Sequence, residues 1–187
     1  PGRARPGSNG RARGKGRSLA ADCLILEFGD AVAPDAKVEA RSRVAAALAE
    51  GGYGLREILV RTNGLETEWG QGDIAAVAAM PAQGVLLPKV ESGDMVRKAE
   101  AILDANGASG DMAIWCMIET PLGVLNAAEI ARSTPRLGGF VMGTSDLAKD
   151  LHCLHTMDRM PFITSLNLSI LAARAYGLAI LDGVSLD

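Results

Sequence analysis

The chain has 187 residues, of which 48% are hydrophobic and 22% charged, and it carries a formal net charge of −3. This is the composition of a soluble globular protein of one domain, residues 1–187, with enough length to bury a substantial core. The apolar stretches are too short to span a bilayer and no secretory pattern is seen, so the expected location is the cytoplasm.

In chain order, residues 1–19 come first, with Arg3, Arg5, Arg11, Arg13, Lys15 and Arg17 and no acid. Such an arm is a solvated terminus, a nucleic-acid contact or a holder of substrate phosphates. Aromatic residues make up only 4% and none lies between the basic ones, which argues against a base-stacking surface. Residues 1–10 show no strand pattern. Apolar runs of strand length then recur at residues 23–28, 57–61, 84–88, 113–118, 139–142 and 178–181. They are nearly continuous rather than alternating, as in strands buried on both faces of a parallel sheet.

The segments between them read as helices. Asp35 caps a run ending at Ala49, with Val38, Val44, Ala45 and Leu48 on its apolar side. Ser92 caps residues 94–105, and Thr120 caps a helix that has Pro121 at its favoured first position. Pro161 opens a long helix with Phe162, Leu166 and Ile170 in one stripe, closed by Gly177. The alternation predicts an α/β fold, either a doubly wound sheet or most of a (β/α)8 barrel. A complete barrel needs about 250 residues. The expectation is therefore a (β/α)8 TIM barrel that is incomplete, its first and last strands missing or partial. Cys23, Cys116 and Cys153 are widely spaced, form no CxxC pair, and read as small buried thiols in a reducing compartment.

In an α/β barrel the ligand lies at the C-terminal ends of the strands. Those ends carry Glu27 with Asp30, Arg61, Lys89 with Glu91, Glu119, Asp146 and Asp182. One such carboxylate alone is more often a helix cap or a solvated loop residue. Several on consecutive strands repel one another unless a cation or an arginine compensates. If Met117-Ile118-Glu119 and the run before Gly143-Thr144-Ser145-Asp146 end parallel strands, Glu119 and Asp146 emerge at one sheet edge. That suits Mg²⁺, which takes one or two protein carboxylates and fills its remaining positions with water and substrate oxygens. Arg61 either grips a substrate carboxylate by two parallel hydrogen bonds or pairs with Glu27 or Asp30. The backbone of Gly143, Thr144 and Ser145 opens a helix and offers N–H groups to a carboxylate or phosphate. His152 and His155 read as packing residues, and Trp69 and Trp115 as core or interface.

With these residues in hand, the chain resembles the citrate lyase β-subunit-like CoA-ester lyases of the HpcH/HpaI aldolase superfamily. The likeness rests on the colinear order of Pro6-Gly7-Ser8-Asn9, Ala33-Pro34-Asp35, Val60-Arg61-Thr62-Asn63-Gly64, Leu87-Pro88-Lys89-Val90-Glu91-Ser92, residues 117–123, residues 143–151 and Ile180-Leu181-Asp182-Gly183-Val184. The resemblance implies a homo-oligomer, a trimer or a multiple of one, with Mg²⁺ on Glu119 and Asp146. It implies catalytic roles for Arg61, Glu27 and Asp30, with Arg61 holding a small oxo-acid, and Arg11 and Lys15 near the CoA phosphates. The implied reaction is reversible C–C cleavage of a 3-hydroxyacyl-CoA, typically citryl-CoA or malyl-CoA. Alternatives are a pyruvate-type aldolase acting without CoA and a non-catalytic Mg²⁺- or carboxylate-binding remnant. The chain departs from the family pattern at Glu27, usually an aspartate, and at Gly29, usually an acid. The family's last strand and its C-terminal catalytic acid have no counterpart here.

Overall fold

A computed structural model describes residues 3–6, 17–18, 20–28 and 37–184. The strands are β1 (Arg3–Pro6), β2 (Cys23–Glu27), β3 (Glu57–Arg61), β4 (Gly84–Leu87), β5 (Ala113–Ile118), β6 (Leu137–Met142) and β7 (Ala179–Leu181). The helices are α1 (Lys37–Glu50), α2 (Gly70–Ala78), α3 (Gly93–Ala105), α4 (Pro121–Leu125), α5 (Ala127–Ala131), α6 (Thr144–Asp150) and α7 (Ile163–Ala175), the last preceded by a 3-10 turn at Met160–Phe162. This is an α/β fold of parallel strands. It divides into two compact units, Pro1–Leu86 with Ala99–Ala113 and Leu87–Lys98 with Ile114–Asp187.

In the first unit β1, β2, β3 and β4 pair in parallel and in sequence order. β2 is buried along its whole length, and Leu59 and Val60 of β3 are inaccessible. An all-apolar run with no polar alternation has this fate, because both of its faces are covered. α1 buries Ala40, Val44, Ala47 and Leu48, one stripe at helical spacing. The expected Val44 and Leu48 lie on that stripe, while Ala45 is half-buried at its margin. α1 stops before Gly51, whose φ of 67° is a left-handed conformation that glycine adopts without a Cβ clash. α2 buries Asp73, Ile74, Val77 and Ala78.

Two expectations need correction. Residues 3–6 do form a strand, β1, in register with β2 from Arg3 opposite Leu24 to Pro6 opposite Glu27. Arg-Ala-Arg-Pro has no apolar run to announce a strand. The pairing comes from backbone hydrogen bonds to β2, which side-chain patterning does not report. The second correction concerns α7. Its buried residues are Ser169, Ala172 and Ala173, with Phe162 just ahead of it, whereas Ile170 is 43% exposed. Small residues face inward because they allow close packing, so the larger apolar side chains Leu168 and Leu171 are left exposed.

In the second unit β5, β6 and β7 pair in parallel, with Met117 opposite Val141 and Phe140 opposite Ile180. Ile114, Cys116, Ile118 and Phe140 are fully buried. The Ser92 hydroxyl accepts from the Met95 amide and caps α3. The Thr120 hydroxyl accepts from the Gly123 amide at 3.1 Å and caps α4, with Pro121 at the first helical position. Both caps stand where the sequence places them. No helix among the described residues is long and apolar enough to cross a membrane.

Candidate metal and substrate site

β5 runs apolar and buried to Ile118, and the next residue is Glu119, only 1% exposed. A carboxylate at that depth needs partners. Its Oε1 accepts the backbone N–H of Lys89 at 2.9 Å. Lys89 presents that N–H from a left-handed backbone conformation, φ 49°, that a side chain carrying a Cβ rarely adopts. On its other side Glu119 lies against Gly143, where an added Cβ would clash with Glu119 Cβ and Oε2. Gly143 thus provides room for the carboxylate. Its own N–H donates to Ile118 O at 3.1 Å, tying the end of β6 to the end of β5.

Gly143 also precedes α6, which carries Asp146 in its first turn. The Asp146 side chain is about one-third exposed, and its Oδ1 lies 3.7 Å from Lys89 Nζ. Lys89 therefore contacts both carboxylates, Glu119 through its backbone and Asp146 through its side chain. Thr144 is 1% exposed, with Oγ1 3.1 Å from His155 Nε2, and Ser145 is exposed. The His155 ring packs at 4.9 Å from that of Phe162. Sequence reading treated His155 as packing alone and missed its bond to the start of α6. Only the folded loop brings these two residues together.

The donor set suits a hard cation. Two carboxylates, one deeply buried and one partly open to water, match the sparse protein ligation typical of Mg²⁺. Among the described residues there is no cluster of three or more His, Cys, Asp or Glu. At the end of β7, Asp182 is held by Arg159, with Nη2 to Oδ1 at 2.8 Å. This pairing keeps the Asp182 carboxyl below the usual carboxylate range.

In the first unit, register places Glu27 opposite Arg61, and Arg61 Nη1 lies 3.3 Å from Glu27 Oε1. Of the two sequence readings of Arg61, this geometry shows the ion pair with Glu27. The loop after β3 is fixed from below. Asp73, 0% exposed, accepts from Asn63 N at 2.8 Å and Asn63 Nδ2 at 2.6 Å, and its other oxygen pairs with Arg41 Nε at 2.6 Å. Arg41 also donates to Trp69 O. Asp73 was not singled out from the sequence. Its signal was an acid set among the buried positions of an apolar helix. Burial raises the Cys23 thiol to about 12 and raises that of Cys116 as well, so neither is a nucleophile near neutral pH. Cys153, read as buried, is only partly so. Arg17 pairs with Glu50 at 2.7 Å and lies over the Tyr53 ring. Arg11, Lys15, Gly29 and Asp30 lie outside the described residues.

In the second unit, parallel strands that end at the buried Glu119 and at Gly143, the glycine that leads into the Asp146 helix, define an α/β protein with a candidate cation site. Residues 6–187 match the HpcH/HpaI aldolase/citrate lyase family, and the chain belongs to that family. It is 48% identical over 179 residues to a (3S)-malyl-CoA thioesterase of Cereibacter sphaeroides, covering 96% of this chain and 60% of that protein. The chain thus spans about three-fifths of that relative's length. Among solved structures it is similar to the citrate lyase beta subunit of Mycobacterium tuberculosis complexed with oxaloacetate and magnesium. There the TM-score is 0.81 and the identity 27%, over 100% of this chain and 78% of the other. CitE of Mycobacterium tuberculosis, in complex with magnesium, acetoacetate and coenzyme A, matches at a TM-score of 0.80 and 28% identity, over 100% of this chain and 66% of that one.

Proposed function

We propose that this protein is a Mg²⁺-dependent enzyme of CoA esters that cleaves or forms the C–C bond of a 3-hydroxyacyl-CoA such as malyl-CoA or citryl-CoA. The observation that carries the reading is the buried Glu119, fitted against Gly143 and held by the Lys89 amide, in contact with the lysine that also meets Asp146. Relatives with magnesium, an oxo-acid or coenzyme A in their structures support it.

Glu119 and Asp146 would hold the cation. Bound there, Mg²⁺ would supply Lewis-acid polarisation of substrate oxygens. Arg61 is assigned the carboxylate of the oxo-acid, with Glu27 orienting its guanidinium, and Asp30 is assigned to the same catalytic group. Gly143, Thr144 and Ser145 would shape the anion-binding edge of α6. Arg11 and Lys15 are assigned the CoA phosphates. In cleavage the substrate hydroxyl loses its proton, the C–C bond breaks toward the α-carbon of the thioester, and that carbon is then protonated. The products are an acyl-CoA and an oxo-acid. We assign the working protein a single (β/α)8 barrel domain, homo-oligomeric assembly and a cytoplasmic location.

The name of the Cereibacter sphaeroides relative favours a second reading, in which water attacks the thioester of malyl-CoA and releases malate and free CoA. The test is incubation with malyl-CoA and Mg²⁺. C–C cleavage yields acetyl-CoA and glyoxylate, whereas hydrolysis yields a free thiol titratable with a disulfide reagent. Glu119→Gln is expected to abolish turnover while the far-ultraviolet circular dichroism stays unchanged. Turnover of free hydroxy-oxo acids without CoA would favour an aldolase instead. Binding of Mg²⁺ without any turnover would favour a non-catalytic remnant.

A further inference from the structure

We propose that Lys89 is a built-in counter-cation of the metal site: its ammonium neutralises Asp146 when no divalent cation is bound and must be displaced for the cation to enter. The inference rests on the assignment of Glu119 and Asp146 as ligands and goes beyond it, because it makes metal affinity a property of a residue that is no ligand.

Three observations lead to it. First, one residue reaches both carboxylates, its amide 2.9 Å from Glu119 Oε1 and its Nζ 3.7 Å from Asp146 Oδ1. Second, it does so from a left-handed backbone at φ 49°, a conformation that persists only where the surroundings impose it and that clusters at working sites. Third, the ion pair is poor as a structural device. The Lys89 side chain is 48% exposed and that of Asp146 33%, and the contact is long. Solvent-screened pairs of this kind contribute little to stability. A long, half-exposed lysine can leave a carboxylate at little cost, whereas the buried Asp73–Arg41 pair cannot. Both elements of the contact have separate tasks. The amide fixes Glu119 whatever the side chain is, and the ammonium supplies the exchangeable charge. Once displaced, the same ammonium is a mobile positive group at the mouth of the site, suited to a carboxylate of the incoming substrate.

The experiment is calorimetric titration of Mg²⁺ alone, without substrate, into wild type, Lys89→Met, Lys89→Arg and Glu119→Gln. Methionine keeps the Cβ and the unbranched stem, so the backbone geometry and the amide bond to Glu119 are retained. Loss of a unit charge at about 4 Å in a solvent-screened setting predicts roughly fivefold tighter Mg²⁺ binding by Lys89→Met. The gain should shrink as potassium chloride is added, because exposed charges are screened. Lys89→Arg should bind as wild type does. Unchanged or weaker binding by Lys89→Met, with wild type binding and Glu119→Gln not, overturns the role of Lys89 and leaves the metal site standing. A gain that does not respond to salt also overturns it. Absence of Mg²⁺ binding from both wild type and Lys89→Met overturns the metal site and the inference together.

Discussion

The first unit braces a buried acid with a short ion pair, whereas the second leaves a partly exposed acid on a long one. In the first, Asp73 has both oxygens engaged, one by Arg41 and one by the amide and side chain of Asn63, all at 2.6–2.8 Å. In the second, Glu119 is as deeply buried, accepts the Lys89 amide and lies against Gly143, while Asp146, about one-third exposed, has only a long contact to the half-exposed Lys89 side chain. A charge neutralised from every side holds a loop in place. A charge paired through a long contact with a half-exposed, movable side chain is held far more loosely. The difference separates an acid that braces a loop from one that we propose as a cation ligand, and burial alone does not report it.

The sharpest way to break this comparison is Asp73→Ala, which strips Arg41 and Asn63 of their common partner. Loss of one member of a buried charge pair costs about 3–5 kcal/mol, so the urea midpoint should fall by that equivalent. A change below about 1 kcal/mol would place Asp73 among ordinary surface acids.

Gly143→Ala probes the other side. The new methyl would be driven into Glu119 Cβ and Oε2, and overpacking of this kind costs about 1–3 kcal/mol. Thermal denaturation should show that loss, and the stabilisation of the wild type by added Mg²⁺ should disappear in the variant. An alanine variant that is as stable as wild type and still stabilised by Mg²⁺ would show that the glycine is not needed for the carboxylate.

The smallest effect is expected at Asp182, an exposed acid with a fixed partner. Arg159 depresses its pKa, so its contribution is fully present above the ordinary carboxylate value and is lost as pH falls through the depressed one. The side chain is 62% exposed, and solvent screening limits the pair to about 0.5 kcal/mol. Asp182→Asn should be less stable than wild type by that amount at neutral pH and equal to it in strong acid. Chemical denaturation across the acid range measures the difference. A deficit that persists unchanged at low pH would assign it to packing rather than charge.

The six apolar runs all became strands, because residues such as Leu24, Leu59, Leu86 and Ile118 are apolar without alternation and demand cover on both faces. The Ser92 and Thr120 caps were legible because capping is a contact within one helical turn. β1 was not, since an arginine-rich strand is held by its neighbour's backbone. α2, with Gly70 and Gly72 near its start, has weak intrinsic helix propensity, and its helix depends on tertiary packing.

Chain chemistry by itself therefore determined the α/β alternation, the positions of most strands and helix starts, and which acids stand at strand ends. These depend on solvent exclusion and on bonds between residues close in sequence. Only the tertiary structure decided that Lys89 touches Glu119 and Asp146, that Arg61 meets Glu27, that His155 reaches Thr144 and that Asp73 lies under Asn63. Most of these partners are tens of residues apart, and their pairing follows from strand register and loop packing, which no local pattern encodes.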